Sequence, residues 1–210
     1  MHDDLQVMRV DQMTKCLKDF QIPCRWVPDM GFGYGYPQYH YYGPLPYYLM
    51  GVTNLLKVDL FSSVKIGFIL SLLLGNIFMF YLASYLWGNK AGLLSSIAYA
   101  YLPYRASDLF SRGAMAESWA FVFLPLIIWT TLRFLDSPSI KKMITTGIAF
   151  ALLLLSHNVT TLTFGPLYLI FFYLSAKFRG WETKKVFKYL FIILLYAIGL
   201  SAFFFLPAYL

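Results

Sequence analysis

From about residue 61 to its last residue the chain alternates long apolar runs with short polar breaks, and few folds tolerate such a pattern. The runs fall at about 62–86, 90–104, 116–134, 142–157, 160–176 and 186–207. A helix needs ~20 apolar residues to cross ~30 Å of hydrocarbon. Most of the runs approach that length, whereas 90–104 and 142–157 are nearer 15 residues and suit tilted partners inside a bundle. In lipid, every backbone N–H and C=O must be satisfied within the chain, so only helices and closed barrels cross it. No segment of ~10 alternating residues recurs to build a barrel. Composition excludes a soluble alternative: 59% of the residues are hydrophobic and 13% charged, against about 45–50% and 25% in soluble domains. We therefore expect an all-α, polytopic transmembrane helix bundle of about six spans.

Residues 1–60 differ. They contain no long apolar run and hold six of the ten acidic residues, Asp3, Asp4, Asp11, Asp19, Asp29 and Asp59. The chain thus divides into a water-facing segment, 1–60, and a membrane bundle, 61–210. With six spans, one side of the membrane carries Lys90, Arg133, Lys141, Lys142, Lys177, Arg179, Lys184, Lys185 and Lys188 against only Asp136 and Glu182. The other side carries eight basic and eight acidic residues. The whole net charge of +7 therefore lies on one side. The positive-inside rule makes that side cytoplasmic and places 1–60 outside, in the plasma membrane of a cell. Nucleic acid is not needed to explain the charge. A water-facing segment that begins at residue 1, and an end just as a helix leaves the membrane, lead us to expect a piece of a longer protein.

Four groups could carry chemistry. The first is His2-Asp3-Asp4, which opens a helical stretch with Leu5, Met8, Met13, Cys16, Leu17 and Phe20 at helical spacing. This pattern predicts an amphipathic helix on the membrane surface. Asp3 and Asp4 would either cap it or act as a general base or metal ligand beside the bilayer. The second is Arg25–Tyr48, in which nine of 24 residues are aromatic, four are Gly and four are Pro. Such a stretch is a structured loop, not a regular element. Tyr34, Tyr36 and His40 within it would face a ligand or form an interfacial belt. Cys16 and Cys24 are either a disulfide, if this segment meets an oxidising compartment, or two free thiols.

The third group is Arg105, Asp108, Arg112 and Glu117, four charges between two apolar spans. Juxtamembrane charges are costly unless paired or used. Arg105 and Arg112 could hold a lipid phosphate bidentately, or the four could simply pair with one another. The fourth is Ser156-His157-Asn158 at the same outer side, where His157 is a hydrogen-bonded structural residue or a catalyst. The sequence has no zinc pattern, P-loop or nucleophile elbow.

Several of these residues also carry a family resemblance. His2-Asp3-Asp4 with Arg9, Ile22-Pro-Cys-Arg-Trp-Val-Pro-Asp-Met-Gly, Gly33-Tyr-Gly-Tyr-Pro, Tyr41-Tyr-Gly-Pro-Leu-Pro-Tyr-Tyr, Arg112-Gly-Ala-Met-Ala-Glu117 and Leu155-Ser-His-Asn158 resemble a bacterial membrane family. It is known as "6-pyruvoyl-tetrahydropterin synthase related", a name that carries no zinc chemistry here because only three histidines are present. In architecture this group is similar to C-type membrane glycosyltransferases, which use a sugar on a polyprenyl phosphate at the outer leaflet. The resemblance implies that Asp3 or Asp4 is the catalytic base and that Arg105 and Arg112 bind the donor phosphate. Tyr34, Tyr36, His40, Glu117 and His157 would then shape the sugar site. The implied partners are membrane lipid and a polyprenyl-phosphate-linked sugar. The resemblance assigns no definite cofactor, and a divalent metal ion is the one that the carboxylates could take. The alternative is a non-enzymatic carrier, a flippase-like transporter of a lipid-linked glycan. Transporters usually break helices at the midplane, whereas the polar groups here crowd the outer end.

Overall fold

The computed structural model describes residues 3–209, and among them the chain is helical, with no strand beyond one isolated bridge between Val27 and Tyr36. Four helices are long and apolar enough to cross a membrane: α4 (Leu60–Trp87), α7 (Met115–Asp136), α9 (Asn158–Phe178) and α10 (Thr183–Tyr209, whose qualifying part is Thr183–Pro207). The other two apolar runs are helices as well. At 12 and 15 residues, α5 (Asn89–Ala100) and α8 (Ile140–Leu154) are shorter than a hydrocarbon crossing requires.

The helix ends follow local chemistry. Asp59 caps α4, its carboxylate accepting the Ser62 N–H at 2.9 Å, and Gly88 stops it in a left-handed conformation (φ 84°) that only glycine adopts cheaply. Ser139 caps α8, and His157 caps α9. Within the bundle α7 is central: two-thirds of its span is buried, against a third or less for the others. It packs on α4 and α8, while α5 backs α4 and α10 backs α8. Hydroxyls join the helices where apolar packing alone would not specify them, through Ser71–Ser118 at 2.6 Å and Thr131–Tyr168 at 3.1 Å. Outward, α4, α9 and α10 expose rows of Leu, Ile and Phe, a surface that suits lipid and not water.

The C-terminal ends of α4, α7 and α9 meet at Asp136, which accepts hydrogen bonds from Tyr85 and, at 2.5 Å, from Arg179. The N-terminal segment covers the opposite end. There α1 (Gln6–Lys18) packs on α4 and on α3 (Leu45–Leu55), which follows the single turn α2 (Gln38–Tyr41). Only part of the apolar stripe read from the sequence, Met13 and Cys16 with Leu17 beside them, lies on the face that α1 buries. Leu5 and Phe20 are exposed, whereas Gln6, Arg9 and Gln12 are buried beside Val10, Met13 and Cys16. Cys16 is joined to Cys24 by a disulfide, with Cα atoms 5.6 Å apart. This bond ties the last turn of α1 to the aromatic loop, in which Gly31, Gly33 and Gly35 are left-handed and Val27 and Tyr36 exchange two 2.9 Å hydrogen bonds.

Between α5 and α7 the chain makes one turn of helix, α6 (Pro103–Ala106), and then a π-helical segment, Ser107–Arg112, closed by left-handed Gly113. Such wide turns are uncommon and concentrate at functional sites.

Candidate functional site

The first described residue, Asp3, is held from three directions. Its backbone N–H donates to the Arg112 carbonyl at 3.0 Å. Its Oδ2 accepts from Arg9 Nη1 at 2.6 Å and from Gln6 Nε2 at 2.9 Å. Gln6 also donates to the Gly113 carbonyl at 2.8 Å and accepts from the Tyr47 hydroxyl at 2.7 Å. The Arg9 guanidinium lies over the Tyr42 ring, 4.5 Å from its centre, so an aromatic face and a carboxylate share its charge. These contacts fix Asp3 on the wall of a cavity of about 350 Å³ lined by Asp3, Tyr42, Arg112, Ala114, Glu117 and His157.

Further lining comes from an ionic network. Arg112 Nη1 reaches Glu117 Oε2 at 2.7 Å and Asp108 Oδ1 at 3.1 Å, and the Tyr104 hydroxyl donates to Glu117 Oε1 at 2.6 Å. Asp108 is 1% exposed, and its Oδ2 has no hydrogen-bond partner among the described residues. Burial, and then the nearby Glu117 carboxylate, push its carboxyl up to about 7. The folded protein therefore keeps a proton on Asp108 between its ordinary value of 3.8 and about 7, where the unfolded chain has lost it. The folded state binds more protons across that window, so Asp108's contribution to stability falls as pH rises from about 4 to about 7 and is constant above. Thermal unfolding of the detergent-solubilised protein should show this decline, and Asp108→Asn should flatten it. An equally steep decline in the variant would show that another group is responsible.

His157 closes the cavity. As the cap of α9, its Nδ1 accepts the Thr160 N–H at 3.3 Å and sits 2.7 Å from the Thr160 hydroxyl. With Nδ1 so occupied, the neutral ring carries its proton on Nε2. Burial lowers the pKa of this imidazole, which favours that neutral form. The cavity thus combines a fixed carboxylate, a guanidinium shared by two acids, an imidazole N–H and a phenol. Chemically that set can accept a proton, donate one, and hold an anionic oxygen.

A second cavity, of about 500 Å³, adjoins the first and is mostly apolar, with Leu154, Leu162, Phe204 and Phe205 beside His40, Tyr41 and Asn158. The Asn158 amide donates to the Tyr41 carbonyl at 2.9 Å, and the next residues in each pair, Tyr42 and His157, face the polar cavity.

Of the residues proposed from sequence, Asp3, Arg112, Glu117 and His157 come together. Asp4 is exposed and lies outside both cavities. Arg105 is 3% exposed behind the site, bonded to Asn76 at 2.9 Å and the Tyr99 carbonyl at 3.1 Å and stacked on Tyr99. His40 belongs to the apolar cavity. Tyr34 is 88% exposed, and neither it nor Tyr36 lines either cavity. His2 lies outside the described residues. Gln6 and Tyr42 were not singled out, although Asp3 and Gln6 stand at the spacing of a helix capping box, a legible sign of mutual bonding. Among the described residues no three His, Cys, Asp or Glu side chains converge as a metal site; the carboxylates are taken up by guanidinium groups instead.

Comparison with known proteins agrees with the membrane architecture. An "Uncharacterized protein" of Lactococcus lactis subsp. cremoris (strain MG1363) is 30% identical over 206 residues, which are 95% of this chain and 34% of that protein. The chain therefore spans about a third of that relative's length. No solved structure matches. Residues 39–210 match the model of the 6-pyruvoyl-tetrahydropterin synthase related domain, described as a membrane protein, and the chain belongs to that family.

Proposed function

We propose that the protein transfers a sugar from a polyprenyl-phosphate donor to a cell-envelope acceptor hydroxyl at the outer leaflet. The observation that carries this reading is the meeting of Asp3, Arg112, Glu117 and His157, from three distant parts of the chain, in a polar cavity beside an apolar one. The apolar cavity suits the first isoprenoid units of the donor, and the polar one suits its phosphate and sugar. Asp3 is the base, because it lines the cavity and Asp4 does not. Its carboxylate takes the acceptor hydroxyl proton as that oxygen bonds to the anomeric carbon. The anomeric carbon–phosphate oxygen bond breaks at the same time, and polyprenyl phosphate leaves with the electron pair. Arg112 and the His157 Nε2–H hold the departing phosphate, whose charge grows as the bond breaks. Glu117 and Asp108 orient Arg112. Arg105 supports the wall from behind.

The same reading places residues 3–59 outside the cytoplasm of a plasma membrane. The Cys16–Cys24 disulfide favours an oxidising compartment, and the basic residues gather beyond the opposite end. Six crossings follow if α5 and α8 are counted, since each returns the chain between the same two ends.

The test uses membranes containing the full-length protein and a panel of polyprenyl-phosphate sugars. Asp3→Asn should reduce transfer by about 100-fold or more, the usual worth of a general base, while Asp4→Asn leaves it intact. Flipping of a lipid-linked glycan without any transfer would replace this reading with that of a carrier.

A further inference from the structure

A groove lies on the flank of α4, lined by none of the residues of the two cavities described above. Lys65 is the one charged residue of α4's 28, it is exposed, and it has no ion-pair or hydrogen-bond partner among the described residues. It lines a groove of about 310 Å³ whose other walls are Phe68, Ile69 and Leu72 of α4 and Leu109 and Phe110 of the π segment. Positions 65, 68, 69 and 72 share one face of the helix. Phe110 is 75% exposed, an orientation that wastes its hydrophobicity unless the groove is filled.

Depth is consistent with a headgroup contact. A 28-residue helix is about 42 Å long at 1.5 Å per residue, so about 6 Å projects beyond each side of ~30 Å of hydrocarbon. The Lys65 backbone, five residues from the start of α4, then lies close to that boundary. Its ammonium reaches the headgroups by extending along the helix, while its stem stays among apolar side chains. A lone ammonium at that level above an apolar groove is complementary to a lipid phosphate with an acyl chain beneath it.

We propose that this groove binds an anionic phospholipid of the surrounding bilayer, with its headgroup on Lys65 and an acyl chain against Leu109 and Phe110. The consequence reaches the candidate site, because the same six-residue π segment carries Asp108 and Arg112 into the polar network. A seated acyl chain braces Leu109 and Phe110 and thereby the turn that positions Arg112.

Hydrogen exchange of the full-length protein in nanodiscs tests this directly. The discs are phosphatidylcholine alone, or phosphatidylcholine mixed equally with phosphatidylglycerol of the same acyl chains. Amides of residues 107–112 should exchange roughly fivefold more slowly in the mixed discs, the factor expected for one basic residue at an anionic surface. Lys65→Gln should abolish that slowing while matching the wild type in phosphatidylcholine alone, and Lys65→Arg should retain it. Equal slowing in Lys65→Gln, or no slowing in the wild type, would overturn the proposal. The readout does not depend on glycosyl transfer, so failure of that reading leaves this one standing, and the reverse.

Discussion

Gly43→Ala is expected to be the most damaging small substitution in the chain. A methyl group at position 43 would lie 2.5 Å from the Ser156 carbonyl carbon, closer still to its oxygen, and 2.9 Å from the Leu155 oxygen. All three are backbone atoms of the corner between α8 and α9, which cannot swing aside as a side chain can. The corner also accepts the Leu45 N–H at 3.1 Å and is followed by His157 and by Asn158, which holds Tyr41. Forcing the strands of chain apart therefore breaks the seam that joins the N-terminal segment to the bundle. Overpacking of this kind costs about 3 kcal/mol at the upper end of its usual range. We expect a correspondingly lower Tm in detergent. A variant that unfolds at the wild-type temperature would show that the corner yields.

The second large effect is expected at Arg9. Its side chain is 10% exposed and that of Asp3 26%, so the pair is only partly screened by water. Arg9→Met leaves Asp3 as a half-buried carboxylate with one hydrogen bond, from Gln6, and removes the cation from the Tyr42 face. Breaking a fully buried pair costs about 3–5 kcal/mol, and the partial exposure of Asp3 brings the expected loss to roughly 2–3 kcal/mol. Adding Asp3→Asn should restore part of it, because the neutral amide no longer needs the cation. A double-mutant cycle by thermal unfolding measures this coupling, and strictly additive losses would mean that the pair contributes no net interaction.

These two positions show how differently the levels of structure could be read. The membrane class was legible because lipid imposes a length and an apolarity on every crossing, and α4, α7, α9 and α10 all display both. The face of α1 was only partly legible because hydrophobic spacing, which found Met13 and Cys16, weighs only side-chain apolarity. Gln6 and Gln12 are buried because their amides find Tyr47 and Asp29, contacts that depend on residues far along the chain. The cysteines could be read either way until the end of α1 and the aromatic loop were brought side by side.

The candidate site was partly legible for a related reason. Charged residues at an apolar boundary are costly, so Arg112 and Glu117 stood out before any geometry was known, whereas Asp3 and His157 were marked by their places at helix ends and by the family resemblance. Arg105 and Arg112 were read as one guanidinium pair because both lie in the charged stretch between two apolar spans, and seven residues on a regular α-helix would also bring them to one face. The π segment from Ser107 to Arg112 breaks that periodicity, and the two guanidinium groups part, one into the packing between α4 and α7 and the other into the cavity. No propensity in Ser-Asp-Leu-Phe-Ser-Arg announces the wider turn. Tyr34 and Tyr36 share the aromatic composition of Tyr42, yet only Tyr42 lies on the cavity side of the loop.

The hydrogen bond from the Asp3 amide to the Arg112 carbonyl has a mechanical meaning. It fastens the N-terminal segment to the end of the π segment, so a shift of that backbone moves the Asp3 carboxylate and the Arg112 guanidinium together. The corner that carries His157 is tied to the same N-terminal segment through Leu45 and Tyr41, so all three groups share one frame.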